Sequence, residues 1–460
     1  MSTISSPGLA SGIDIKSLVS QLVALERAPL QPLRTQAGSI QSKLSVYGSI
    51  KSMVSSMGDA AARLSTPAGW NGVKATSSNN TAVGVSATAG MSATNLSVEV
   101  LQLAKAQSAV SQLPPFERGR ALGAGTLTIQ MGSGDPVELV IADGEDSLAS
   151  IAKKINESRG GVTATMIRDA NGERLMMRST ITGEDSTFSV AITGGNAGGL
   201  ERLAFGTTAI GGMVQTQPGQ NALLSINNVD VSSATNTLSD TVPGLTLVLT
   251  QTTTVPVEVV VSADQDGMRK NVQAFLDAYN ALNNLLTTAT KYNPDNKTAG
   301  SLQGDSTAVG LQNALRSMMR SVTASSPFSR LVDVGIEAKQ GGNLEIKAEK
   351  LNAALGNIDG MRALFTSDSS NPTARGFGLK VKAFADALVS ASGTLSTKAE
   401  SLQGAFTRNT REQEKVMDRA ARAEKRFLAQ YNAMDANVGR LNGLSAFVSQ
   451  QITLWNQNPR

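Results

Sequence analysis

The chain has 460 residues, too many for one hydrophobic core, so several domains are expected. Its hydrophobic content of 40% reaches the globular norm once the 43 glycines are counted with it, which excludes disorder throughout. With no Cys and no His there is no disulfide, thiol nucleophile or imidazole ligand or base, and Lys+Arg 41 against Asp+Glu 37 leaves only +4, too balanced for a nucleic-acid binder. Aromatics are only 4%, so core packing is expected to rest on Leu, Val, Ile, Ala and Met.

The opening MSTISSPGLASGIDIKSL has neither a basic n-region nor an apolar h-region, and no stretch approaches the ~18 apolar residues of a membrane span. Neither a Sec-type signal nor membrane insertion is expected. Asp14 is placed to cap a helix, after which Ile15, Leu18, Leu22 and Leu25 fall at 3-4-3 spacing until Pro29 and Pro32 interrupt. Leu33, Ala37, Ile40, Leu44 and Tyr47 continue the spacing, and Ile50, Val54, Met57, Ala61 and Leu64 resume it after one skip, which predicts a second, longer helix.

The middle changes period. Val83, Val85 and Ala87, then Leu96, Val98 and Val100, alternate with polar residues as half-buried strands do. A hairpin follows, with Leu127, Ile129 and Met131 on one arm, a turn over 132–136, and Val137, Leu139 and Ile141 on the other. A helix capped near Asp146 or Ser147 carries Leu148, Ile151 and Ile155, and 162–167 with 175–177 form a second hairpin around an Asn171-Gly172 turn of type I′. This β-β-α-β-β unit ends at a glycine-rich joint over 194–199, after which strands are expected at 223–231, 245–250 and 257–262.

Near Asp264 the helical period returns: Met268, Val272, Phe275, Tyr279, Leu282, Leu286 and Ala289 alternate 4 and 3, and another helix is expected over 306–322. At the far end Leu402, Phe406, Asn409, Gln413, Val416, Ala420, Ala423 and Phe427 alternate in the same way. Tyr431, Met434, Val438, Leu441, Ser445, Val448, Ile452 and Trp455 carry on after one 4-4 step. One straight helix of that length would run about 80 Å and needs a partner helix, for which the N-terminal helices are the candidates. Asn409 and Gln413 put polar groups on the seam, either to set register or because the helix frays there. The basic run from Arg408 to Arg426 is interleaved with Glu412, Glu414, Asp418 and Glu424, the pattern of a solvated helical face.

These segments resemble the flagellar filament cap family over nearly the whole length. The resemblance is carried by Gly8-Leu9-Ala10-Ser11-Gly12-Ile13-Asp14, Leu25-Glu26-Arg27-Ala28-Pro29-Leu30, Val46-Tyr47-Gly48-Ser49-Ile50-Lys51, Ala278-Tyr279-Asn280-Ala281-Leu282, Leu302-Gln303-Gly304-Asp305-Ser306 and Val334-Gly335-Ile336, in that order. It implies an α+β multidomain protein: a terminal α-helical coiled-coil leg and a helical domain bracketing two β-rich head domains. The expected boundaries are an N-terminal leg over 1–42, a helical domain over 43–74 and 265–416, a β-rich head domain over 75–117 and 214–264, a variable head domain over 118–213, and a C-terminal leg over 417–460. The resemblance further implies a homo-oligomeric ring at the distal tip of the filament that promotes flagellin insertion. Its partners would then be flagellin, an export chaperone and the flagellar type III export apparatus, with Ile15, Leu18, Leu22, Leu25, Val438, Leu441, Val448, Ile452 and Trp455 as the partner-binding leg residues.

Catalytic and cofactor chemistry finds no footing. No GxxxxGK[ST] occurs, and Gly132-Ser133-Gly134 falls in a hairpin rather than at a strand-to-helix turn. Asp169, Asn171 and Glu173 begin like a calcium loop, but Gly172 stands at position 4 of such a loop instead of position 6. Glu145-Asp146 and Glu184-Asp185 read as capping and solubilising pairs. No metal, nucleotide or organic cofactor is expected. The competing readings are a sister axial protein of the flagellum (flagellin or the hook-filament junction protein), with long tubes instead of a small ring pointing to flagellin, and a surface adhesin, for which few aromatics are available to stack on sugars. A soluble enzyme ranks last.

Overall fold

The computed structural model describes residues 12, 14–195, 199–206, 211–295 and 297–456. Its contacts divide the chain into two units, Met1–Trp70 with Arg269–Arg460, and Asn71–Met268. Of the opening motif over 8–14, only Gly12 and Asp14 lie among the described residues. Helix α1 (Ile15–Arg27) begins where Asp14 Oδ1 accepts the Ser17 N–H at 3.0 Å, the cap that the sequence predicts. The chain breaks at Ala28-Pro29 and α2 (Leu30–Leu64) follows. Pro32 sits in its first turn, where a missing N–H costs no helical bond. The expected seam of α2 is its inner face, with Ile40, Tyr47, Ile50, Val54, Met57, Ala61 and Leu64 buried.

Among the described residues the second unit holds fifteen strands and helix α3 around two cores. Strands β1 (Val73–Ser77), β2 (Val83–Ala87) and β3 (Thr94–Gln102) open it. Then come β4 (Ser108–Ser111), β5 (Gly125–Met131), β6 (Val137–Ile141), α3 (Leu148–Glu157), β7 (Val162–Arg168), β8 (Glu173–Ser179), β9 (Phe188–Thr193) and β10 (Met213–Gln217). The chain closes with β11 (Ala222–Ile226), β12 (Val229–Ser233), β13 (Thr237–Val242), β14 (Leu245–Leu249) and β15 (Val257–Ala263). One core lies between the sheets β1-β15-β3-β11-β12 and β13-β14-β2. The other is inserted between β3 and β11 in the chain and packs α3 with the sheets β10-β4-β8-β7 and β6-β5-β9.

Three expectations change here. The β-β-α-β-β order is present along the chain, but its two hairpins enter different sheets, each completed by strands the alternation did not reveal: β4 and β10 for one, β9 for the other. The expected strand over 223–231 is a hairpin, turned by Asn227 and Asn228 at φ 48° and 65°. That is the two-residue left-handed geometry of a type I′ turn, which Asn tolerates better than other residues with a side chain. Conversely, Asn171 has no positive φ. The β7–β8 loop closes instead through Asp169 Oδ1, which accepts the Asn171 and Gly172 N–H groups at 2.7 and 3.1 Å, a side-chain-capped turn rather than type I′.

The first unit resumes at Arg269 within α4 (Gln265–Thr290), followed by α5 (Ser306–Met319), α6 (Ala348–Leu355), α7 (Ile358–Thr366), α8 (Phe377–Val389) and α9 (Thr394–Asn456). The predicted 4-3 seam of α4 is its buried face, from Met268 through Ala289. Helices α6 to α8 carried no clear period, yet α8 packs along α2 more extensively than any other helix. Gly58 of α2 allows this approach, because a Cβ there would stand 2.8 Å from the Ala385 Cβ. The scarce aromatics concentrate in the core: Trp70 stacks on Phe365 at 5.2 Å, and Phe377 meets Phe365 and Phe275 edge-on at 5.8 and 5.7 Å. So the packing does not rest on aliphatic residues alone. No described helix is long and apolar enough to cross a membrane.

Candidate functional site

Helix α9 organises the candidate surface. It is one unbroken helix of 63 residues, about 95 Å long at 1.5 Å per residue. Lys51 donates to Ser396 Oγ at 3.0 Å, Asn409 to Gln36 Oε1 at 3.0 Å, and Arg419 pairs with Glu26 at 3.1 Å. As the chain advances from Glu26 to Lys51 its partners step back along α9, so the two are antiparallel. The α9 seam read from spacing is the inner face through Val438: Asn409, Ala420 and Ala423 are buried, and Leu402, Phe406, Gln413, Val416, Phe427, Tyr431, Met434 and Val438 are half-buried. Asn409 also accepts from Gln413 at 2.7 Å, so this polar layer is a made hydrogen-bond network rather than a frayed stretch.

A second polar cluster ties three distant segments. Tyr47 donates its hydroxyl to Asp305 Oδ1 at 2.7 Å, Lys398 of α9 binds Asp305 Oδ2 at 2.9 Å, and Asp305 also caps α5 by accepting from Thr307 and Ala308. The Lys398 ammonium lies 5.7 Å from the centre of the Tyr47 ring. Burial pushes the Tyr47 phenol well above its ordinary range, and the Asp305 carboxylate adds to the shift. Burial alone would raise Asp305, but the Tyr47 hydroxyl, Lys398 and the Ala308 amide outweigh it and hold the carboxyl below its ordinary value. The spacing puts Tyr47 on the α2 seam, and Asp305 stands out only as part of a family motif. No local pattern links residues 258 positions apart.

Helix α1 packs on the same face of α9, but with a rotated stripe. Its buried residues are Ile15, Val19 and Val23, set against Ala420 and flanked by Phe427, Leu428 and Tyr431. Of the expected leg residues, Ile15 is buried, Leu18 and Leu22 are half-buried, and Leu25 is exposed at 71%. The β-branched stripe fits the close approach that the small Ala420 permits, and this turns the larger Leu25 outward. The ion pairs beside it, Arg27 with Glu424 and Arg419 with Glu26, are solvent-exposed and add little stability.

Beyond Val438 the surroundings change. Leu441, Val448, Ile452 and Trp455 have no apolar cover among the described residues, with Leu444, Phe447 and Leu454 beside them. These seven are between 48% and 82% exposed. The structure therefore does not bring the expected N-terminal set against Leu441 to Trp455; of the C-terminal set only Val438 is half-buried. Residues 441–456 also contain no Asp, Glu, Lys or Arg, whereas the stretch ahead of them is densely charged. A contiguous exposed apolar face of this kind on a helix marks an interaction surface.

The carboxylates set aside in the sequence are engaged structurally. Glu173 is buried and accepts from Arg168 at 2.7 Å, and Asp146 takes the Gly123 N–H at 2.8 Å. No cluster of three or more His, Cys, Asp or Glu able to hold a metal occurs among the described residues.

Comparison with known proteins agrees with this architecture. The family models described as flagellar hook-associated protein 2 N-terminus and C-terminus match residues 11–107 and 219–443, and a flagellin hook IN motif matches 126–181, which spans β5 to β8. The flagellar hook-associated protein 2 of Escherichia coli K12 is 29% identical over 98% of both chains, and that of Salmonella typhimurium LT2 is 26% identical over the whole of both. The crystal structure of the D1-D2-D3 domains of the E. coli flagellar cap protein FliD superposes with a TM-score of 0.61 at 28% identity, covering 78% of this chain and 99% of that one.

Proposed function

The chain belongs to the flagellar hook-associated protein 2 family, structural proteins of the flagellum rather than enzymes, and we propose that it caps the distal tip of the filament as a small homo-oligomeric ring. In this reading it leaves the cell through the flagellar type III export apparatus, escorted by a chaperone, and helps flagellin fold and insert while keeping it from escaping into the medium. The terminal helices form a coiled-coil leg. The observation that carries the reading is α9 itself: a packed and charged half that fixes the helix to its own chain, continued by a charge-free end whose apolar side chains are exposed. A helix held rigidly at one end and apolar at the other is suited to seat a subunit in an assembly.

Replacing Leu441, Val448, Ile452 and Trp455 by Asp tests this in a motile host lacking its own copy. The expected result is a folded protein by circular dichroism, short or absent filaments, and flagellin accumulating in the medium. Normal filaments from this variant would refute the role of the leg.

A further inference from the structure

The first unit carries a groove that has no part in its own core. It runs between α5 and α8 as two adjoining cavities of about 1040 and 380 Å³, joined at Ala314 and Phe384. The α5 side is small and open: Gly310 and Ser317 are exposed, Ala314 is half-buried, and a Cβ on Gly310 would meet nothing within 4 Å. The half-buried apolar walls are Met318, Phe384 and Leu388. Ser321 and Arg375 line one end, where Ser321 Oγ and Arg375 Nε are buried without a hydrogen-bond partner. Lys380 lines the same end, its ammonium turned to the Val322 carbonyl at 2.7 Å.

We propose that this groove receives the charge-free C-terminal helix, residues 441–456, of a second copy of the chain. Small residues on the floor and large ones on the incoming helix are the complement that lets helices approach closely. The lengths agree, at about 21 Å for α5 and about 24 Å for 441–456 at 1.5 Å per residue. Having no charged side chain, the segment enters without leaving a buried ion unpaired. The chain's own segment cannot reach. Leu395 lines the far end of the groove, and Leu441 stands on the same unbroken helix about 70 Å further along. The contact is therefore heterologous, one surface meeting a different one on the neighbour, the kind of interface that closes into rings.

This inference rests on the self-assembly reading above and names its contact. The chain has no native Cys, so Ser317→Cys and Val448→Cys each introduce a unique thiol into the full-length protein. On mild oxidation an equimolar mixture should give about tenfold more disulfide-linked dimer than either variant alone, or than Val448→Cys mixed with Ser45→Cys on exposed α2 surface. Ala314→Trp fills the groove and should weaken self-association by about tenfold in sedimentation velocity, and Phe447→Asp, exposed on the donor helix, should do the same without touching the groove. Mixed cross-linking no greater than in the controls, or normal self-association of Phe447→Asp, would overturn the contact. Rings seen by electron microscopy without the cross-link would leave the capping reading intact and sink only this proposal, whereas a monomeric wild type would sink both.

Discussion

Within α9, two stretches of similar apolar content meet opposite surroundings. From Leu395 to Val438 the seam positions are covered, with α2, α8 and α1 packed along the helix, and the outward face is crowded with Lys, Arg, Asp and Glu. From Leu441 to Asn456 the apolar positions are exposed and the charges are gone. A surface helix of a monomer ordinarily shows the first arrangement, since charge on the far face keeps it soluble and fixes which side goes inward. Losing both cover and charge within the same turn removes that instruction, and the end of the helix is left with a surface suited to another chain.

The comparison breaks first at paired Asp substitutions. Ala420→Asp puts an unpaired carboxylate at a position with 0% exposure and should cost about 3 kcal/mol or more, while Phe447→Asp should stay within about 0.5 kcal/mol in urea denaturation. Equal losses would mean that the two halves of α9 are equally part of the fold.

Next in size is the anchor at Lys398. Asp305→Asn removes a charge that Tyr47, Lys398 and the start of α5 all use, and should cost about 2 kcal/mol at neutral pH. The sign follows from the shifts. The folded pKa of Asp305 lies below its ordinary 3.8, so its contribution is complete above that value and is lost as pH falls through the lowered one. Tyr47 is raised above 10.0, so its contribution is complete below that pH and is lost as pH rises beyond it. Melting temperatures from pH 2 to pH 5 should therefore converge for wild type and Asp305→Asn at the acid end; a constant gap would show that the carboxylate's charge is irrelevant.

A smaller effect, of opposite sign, is expected at the polar layer. Asn409→Leu should raise stability by about 1 kcal/mol, because Gln36 is exposed and can turn to water while a buried amide is replaced by an apolar group. A fall in stability would show that the Asn409 network holds the pair together as well as setting its register. Smallest of all, Arg419→Ala should change stability by less than about 0.5 kcal/mol, as befits an exposed ion pair. A larger loss would mean that α1 depends on its charges more than on Ile15, Val19 and Val23.

Much of this was legible in residue spacing. Long 4-3 seams on α2, α4 and α9 repeat often enough that no alternative period competes, and the Asp14 cap is a local side-chain-to-backbone bond with a short signature. Other features are not encoded locally. The α8 helix, with Phe377, Val381 and Ala385 buried, gives no sharp stripe because it is covered by both α2 and α7. Strand β4 is buried at every position and so has no alternation to read. The Asn227-Asn228 turn lies between two short strands whose patterns merge into one.

The sequence by itself determined the long helices α1, α2, α4 and α9, that the helical ends bracket the β-rich middle, and the seam of α9 up to Val438, because each of these depends on neighbours a few residues apart. It could not say which of two overlapping stripes α1 would bury, since Ile15, Val19 and Val23 win over Leu25 only when Ala420 is the surface they meet. Nor could it tell that the same repeat is covered before Val438 and bare after Leu441. Periodicity marks the face a helix can bury, and the tertiary structure decides where along that face a partner is present.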